Sequence, residues 1–251
     1  MKKRIFGLAS IALLAFFSLY ARTQTEPTAQ EILAKALSVL YPDIFISEVS
    51  LENIKVDGAT QAYSMKVYRK GEKSLIEFLT PEDQKGQKVL RVGDDIKIFF
   101  PSSCEFLAVG TQFGLVGSIF SYGDVARLDL AADYSASLLG VEDLGGKSAY
   151  KLELQAKDAS IAYDRVLYWI EVETFLPMRA EYYTASGELL KWVTYVEFKE
   201  LAGAVRPSKA IMESALEEGA RTILTTLTME AQEDLPDEVF TEEYHIKECK
   251  G

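Results

Sequence analysis

Apolar positions recur at helical spacing near the start of the chain and then switch to a period of two. Ile32, Leu33, Ala36, Leu37 and Leu40 fall on one helix face, behind Thr28-Ala-Gln-Glu31, which has the form of a capping box. Tyr41-Pro42 ends the run. From residue 46 short alternating segments follow, separated by turn residues, as half-buried strands require. Tyr63, Met65 and Val67 alternate with polar neighbours, as do Ile76 and Phe78, Leu90 and Val92, and Ile96, Ile98 and Phe100. Residues 106–129 do not alternate and contain Gly110, Gly114, Gly117 and Gly123, so they read as loop and short helix inserted between strands. Alternation then resumes. Tyr150, Leu152 and Leu154 oppose Lys151, Glu153 and Gln155. Met178, Ala180 and Tyr182 oppose Arg179, Glu181 and Tyr183. Leu190, Trp192, Val196 and Phe198 oppose Lys191, Tyr195 and Glu197. Ile223, Leu227 and Met229 oppose Thr222, Thr226 and Thr228.

About ten such segments predict one large antiparallel sheet, which must curl, split or close. Its apolar face needs a cover, and the Thr28 helix and residues 106–129 are the segments available. The expected fold class is α+β: a curved antiparallel half-barrel of about ten strands with a helical lid over its apolar concave face. No linker or repeat divides residues 28–247, so residues 22–251 are expected to form a single domain.

Before it, Lys2, Lys3 and Arg4 precede an uncharged apolar run from Ile5 to Ala21. This is the pattern of a cleaved secretory signal peptide over residues 1–21, and the run is short of the ~20 residues needed to span a bilayer. A lipoprotein signal would place a cysteine at the cut, and the first cysteine is Cys104. The expected product is therefore a soluble protein exported to the periplasm, beginning near Arg22. In an oxidising compartment Cys104 and Cys249 can pair or stay free, and the sequence leaves both open.

Charge and residue counts narrow the chemistry. The chain has 27 Lys and Arg against 38 Asp and Glu, a formal net charge of -11, which repels nucleic acid over most of the surface. One histidine and two cysteines leave few ligands for zinc and no Cys-His pair of promise; no metal, cofactor or catalytic group is expected. Asp124, Asp129, Asp133, Glu142 and Asp143 cluster in sequence but read as solvated surface charge, and His245, in a short terminal helix, reads as a surface residue.

Several strings carry a family resemblance. Glu-Phe-Leu-Thr-Pro at 77–81, the Lys-Gly of Lys85-Gly86 and the aromatic strand closed by Phe99-Phe100-Pro101 resemble a segment of the LolA-like outer-membrane lipoprotein-sorting family. Residues 117–125, Gly-Ser-Ile-Phe-Ser-Tyr-Gly-Asp-Val, are similar to that family's Gly-Ser-Asp-Phe-Ser-Tyr-Glu-Asp-Leu. Leu139-Gly140, Trp169-Ile170-Glu171, Leu176-Pro177, Leu235-Pro236-Asp237 and Phe240-Thr241 follow in the same order. Ile119 and Gly123 replace two acidic residues of the signature, which makes this loop more apolar and, on sequence grounds, more flexible.

The resemblance implies a half-barrel with a helical lid over a hydrophobic cavity. It also implies a carrier or chaperone for acyl chains of lipoproteins or for lipids, taking cargo from an inner-membrane exporter to an outer-membrane acceptor without enzymatic chemistry. The same half-barrel could instead serve a periplasmic sensor or adaptor that binds a protein partner and moves no lipid. From the alternation, the expected cavity lining is Met65, Val67, Ile76, Phe78, Ile98, Phe100, Tyr150, Leu152, Leu154, Met178, Tyr182, Leu190, Trp192, Val196 and Phe198. Ordinary core packing produces the same pattern. Phe113, Leu115, Ile119, Phe120 and Tyr122, in the Gly-rich stretch, are the expected lid or entrance.

Overall fold

A computed structural model describes residues 26–126, 130–159 and 161–251. The leader at 1–21, the expected start at Arg22 and Asp129 lie outside the described residues.

The first helix, α1 (Ala29–Leu40), is closed by the capping box: Glu31 N donates to Thr28 Oγ1 at 3.2 Å and Thr28 N donates to Glu31 Oε2 at 2.8 Å. Two antiparallel meanders follow. One comprises β1 (Ile44–Ile54), β2 (Thr60–Lys70), β3 (Lys73–Thr80), β4 (Lys88–Val92), β5 (Asp95–Phe100) and β6 (Glu105–Ala108). The other comprises β7 (Tyr134–Asp143), β8 (Ser148–Ala156), β9 (Arg165–Glu171), β10 (Pro177–Tyr183), β11 (Leu189–Leu201), β12 (Ala204–Ser214) and β13 (Arg221–Ala231). Pairing of β1 with β13 joins them into one 13-stranded sheet, with β6 and β7 at its open edges. Between the meanders lie a single 3-10 turn at Leu115–Gly117 and the short helices α2 (Tyr122–Ala126) and α3 (Leu130–Asp133); α4 (Glu242–Lys250) ends the chain.

The half-barrel holds as expected, with more strands than the alternation revealed. β9 is buried at nearly every position, so its sequence Arg-Val-Leu-Tyr-Trp-Ile-Glu cannot alternate. β6 is four residues long and falls at the edge of the stretch read as loop. β12 carries Pro207, which a central strand ordinarily excludes. Here the β12–β13 ladder runs from Lys209 to Glu213 only, so Pro207 lies outside it and pairs on one side alone, with Phe198 of β11.

The two sheet faces bury different cores. On the inner face, Ile32, Leu33 and Ala36 of α1 pack against Leu152, Leu154, Tyr168, Val193 and Met212, while Leu51, Met65, Ile76, Phe78 and Val89 pack against Leu115 and Tyr122. On the outer face, Leu235 and Phe240 cover Leu75 and Leu90. The terminal helix docks beside them, and a disulfide between Cys104 and Cys249 holds it to the turn after β5. The open edge at β7 is partly closed by Gln30, whose Oε1 accepts from Ala136 N at 3.3 Å, one way of blocking an unpaired strand.

His245 is corrected by this docking: it is buried, set among the rings of Phe99, Phe106 and Tyr244. Its Nε2 lies 2.8 Å from Val239 O and its Nδ1 lies 3.1 Å from Lys88 Nζ. The carbonyl fixes Nε2 as a donor, and Nδ1 then accepts from the ammonium, so the ring is neutral. Burial, reinforced by Lys88, pushes its pKa below 6.5. The folded state thus binds fewer protons than the unfolded one just below that value. The stability that His245 contributes is complete above pH 6.5 and falls as pH drops toward the lowered folded pKa. Urea midpoints at pH 7.5 and 5.5 should therefore fall further for the natural protein than for His245→Asn; equal falls would deny the coupling.

Candidate ligand cavity

The inner face encloses two adjoining chambers. The first has a volume of about 820 Å³, counted out to its mouth, and is lined by Leu37, Leu130, Ile161, Val193 and Met212 together with tyrosines. Those tyrosines are Tyr41, Tyr134, Tyr163, Tyr168, Tyr182 and Tyr195. The second, about 960 Å³ counted in the same way, is lined chiefly by aliphatic groups, among them Val49, Met65, Val67, Ile76, Leu224 and Met229. Leu40, Tyr41, Phe120, Asp124 and Tyr195 line both and form the partition.

Phe120 and Asp124 of the partition come from the Gly-rich stretch expected to be a lid or entrance, and that stretch is braced by its own backbone. Leu115 N donates to Phe120 O at 2.8 Å, Tyr122 N to Phe113 O at 2.9 Å and Gly123 N to Thr111 O at 2.9 Å. Gly114 must lack a side chain, because a Cβ there would come within 2.5 Å of Ser118 O. Gly123, which the sequence marked as a source of flexibility, is packed instead: a Cβ would meet Thr111 O at 3.0 Å.

Two buried polar contacts pin this segment to the sheet. Asn53 Nδ2 donates to Val116 O at 3.3 Å, Thr222 Oγ1 donates to Asn53 Oδ1 at 3.0 Å and accepts from Ile119 N at 3.1 Å. Beside it, Lys191 pairs with Asp124 and donates to Ile119 O at 2.9 Å; both side chains of the ion pair are more than nine-tenths buried. Lys191 also lies over the rings of Tyr163 and Tyr182, 4.9 and 5.5 Å from their centroids, a cation–π arrangement. Asp124 accepts from Ser121 N at 2.7 Å and from Tyr163 Oη at 3.0 Å.

Burial raises the phenols. Tyr195 is pushed up to about 12, while Tyr163, Tyr168 and Tyr182 are also raised, Tyr163 additionally by the charge of Asp124. All four are protonated donors at neutral pH.

The expected lining divides accordingly. Met65, Val67 and Ile76 line the second chamber and Tyr182 the first. Phe78 and Ile98 belong to the core around the second chamber, and Tyr150, Leu152 and Leu154 to that around the first. Six positions are corrected. Met178 packs with Ala149, Leu167 and Trp169 on the outer face, because the ladder to β9 slips between Pro177 and Arg179 and reverses the local alternation. Trp192 also faces outward, donating to Glu213 Oε2 at 2.8 Å and lying against Arg179, while its neighbour Lys191 faces in. Leu190, skipped at a register shift against β10, is half-buried outside the core clusters. Val196, skipped at the first of two register shifts against β12, and Phe198, beyond the second, are exposed. Phe100, at the end of β5, is half-buried outside the core clusters.

In the lid segment, Leu115 and Phe120 line chambers, Tyr122 is buried beneath them and Ile119 is half-buried, whereas Phe113 is 58% exposed. The reading of Asp124 as surface charge is also corrected. Its signal was present, since Ser121-Tyr-Gly-Asp124 has the form of a capping box and the two residues make both of its bonds.

An open antiparallel sheet with helices over an inner cavity defines a class of half-barrel binding folds. The chain belongs within it to the LolA superfamily. It is 34% identical to a LolA superfamily protein from Nitrosomonas europaea, with a TM-score of 0.80, covering 87% of this chain and 99% of that one. A putative outer membrane lipoprotein-sorting protein domain from Vibrio parahaemolyticus shares the fold at a TM-score of 0.78 and 20% identity, over 87% and 98% of the two chains. A DUF1329 family protein from Desulfovibrio piger does so at 0.78 and 23% identity, over 87% and 99%. A family model described as an uncharacterized protein matches residues 70–245. No curated protein matches the sequence.

Proposed function

We propose that this protein is a periplasmic carrier that shelters alkyl chains of lipids or lipoproteins in its two chambers, exported by the leader at residues 1–21. The observation that carries this reading is the pair of adjoining chambers beneath a helical cover, the second lined chiefly by aliphatic side chains, as sites for apolar ligands are. Each methylene brought from a membrane into water costs about 0.8 kcal/mol, so a chain of ~15 faces a barrier of ~12 kcal/mol. An apolar chamber removes most of it. Carriage of this kind uses no cofactor and no covalent step, and it calls for an inner-membrane exporter as donor and an outer-membrane acceptor.

The test is displacement of the neutral fluorophore N-phenyl-1-naphthylamine from protein purified without detergent, with native mass spectrometry for retained lipid. Ile76→Glu, which puts a carboxylate in the second chamber, should abolish binding. Leu227→Glu, on the exposed outer face, should leave it unchanged, with circular dichroism confirming that both variants fold. Equal binding by both, or an empty cavity that takes no probe, would favour the adaptor role over the carrier role.

A further inference from the structure

The two chambers differ in chemistry, and two hydroxyls near their partition are unsatisfied. Ser208 Oγ, in the second chamber, makes no hydrogen bond, and Tyr168 Oη, in the first, meets only the Tyr195 hydroxyl, outside full hydrogen-bond geometry; each residue is 1% exposed. The polar groups beside Tyr168 are the phenols of Tyr195 and Tyr41, both on the partition. Ser208 stands two residues along β12 from Ala210, the cross-strand partner of Tyr195. Buried hydroxyls are ordinarily paired, and a pair left open beside a cavity marks a place for an acceptor.

Charge narrows that acceptor further. Burial keeps Tyr168, Tyr182 and Tyr195 protonated. Asp124, the anion on the partition, is committed to Lys191. Lys209, the cation among the described residues lining the chambers, is paired with Glu197. Among the described residues no lining cation is thus left to neutralise an ionised headgroup, and burying one without a partner is strongly unfavourable.

We propose that a single amphiphile spans both chambers, its alkyl chain in the aliphatic chamber and an uncharged hydrogen-bond-accepting linkage, an ester or amide, at the partition, where Tyr168, Tyr195 and Ser208 donate to it. This rests on the carrier reading and adds a subsite to it.

The experiment displaces N-phenyl-1-naphthylamine from the full chain with methyl laurate, dodecane, and laurate at pH 7.5. It is run on the natural protein and on Tyr168→Phe, Tyr195→Phe and Ser208→Ala, with thermal unfolding as the fold control. Each variant should weaken methyl laurate about fivefold to tenfold, the effect of one lost hydrogen bond, and leave dodecane unchanged. Laurate should bind more weakly than its ester. Equal losses for ester and alkane, or no loss for either, would overturn the subsite while the carrier reading stands. Laurate binding as tightly as the ester would overturn the uncharged class. Failure of every probe would remove the carrier reading itself.

Discussion

Lys191→Met will destabilise the protein by about 3–5 kcal/mol, because it strands the buried carboxylate of Asp124 without its cation. The surroundings magnify the loss. Lys191 also holds the lid through Ile119 O and faces two aromatic rings, so a neutral side chain forfeits three contacts together. The double variant Lys191→Met/Asp124→Asn should recover much of the stability, since two well-packed neutral groups avoid the desolvation that the ion pair requires. Urea unfolding of the two single variants and the double variant gives the coupling directly. A loss below about 1 kcal/mol for Lys191→Met would place the pair in the exposed class, where such bridges contribute little.

Removing the Cys104–Cys249 bond is expected to have an effect of similar size. It closes a loop spanning 145 positions, worth about 5 kcal/mol in the chain-entropy model. The loss should concentrate at the terminal helix, whose nine residues are too few to hold a helix unaided. Cys104→Ser/Cys249→Ser should lower the urea midpoint, and amide exchange over residues 242–250 should accelerate more than exchange in β8 or β9. Uniform acceleration would assign the bond a global role, and an unchanged midpoint would show that the outer-face packing suffices without it.

Much of this fold is legible in the chain, and the failures have physical causes. The capping box and the first helix follow from Thr28, Glu31 and a clean helical period. The inner faces of β2 and β8 follow from alternation, as do Ile76 and Phe78 on β3 and Ile96 and Ile98 on β5. Alternation is a local signal, however, and a register slip of one residue inverts everything after it. That is why Met178 and the face of β11 were misassigned: Leu190, Trp192, Val193, Val196 and Phe198 leave both faces of β11 apolar, and the slips against β10 and β12 depend on residues far away. Lys191 points inward because Asp124, 67 positions earlier, waits there, a fact no window along the strand contains. Three of the tyrosines escaped notice for a similar reason: Tyr163, Tyr168 and Tyr195 come from a loop and two strands and meet Tyr182, which the alternation did place inward, only in the folded sheet.

The pairing of β1 with β13 bears on how the molecule comes into being. Ser47 and Thr228 meet across this seam, 181 positions apart, and it unites the first and last strands in chain order at the middle of the sheet. Such distant pairing closes slowly, since the entropy of bringing the ends together is lost before any contact rewards it. The second chamber is floored by residues from β1, β12 and β13, so it has no floor until the last strand arrives. On the carrier reading proposed above, a chain that has not closed this seam cannot load cargo, and in the interval its two meanders present apolar faces prone to aggregation. On that same reading, cargo that binds the finished seam but not the open chain would favour the closed state by mass action, coupling the lifetime of the fold to its occupancy.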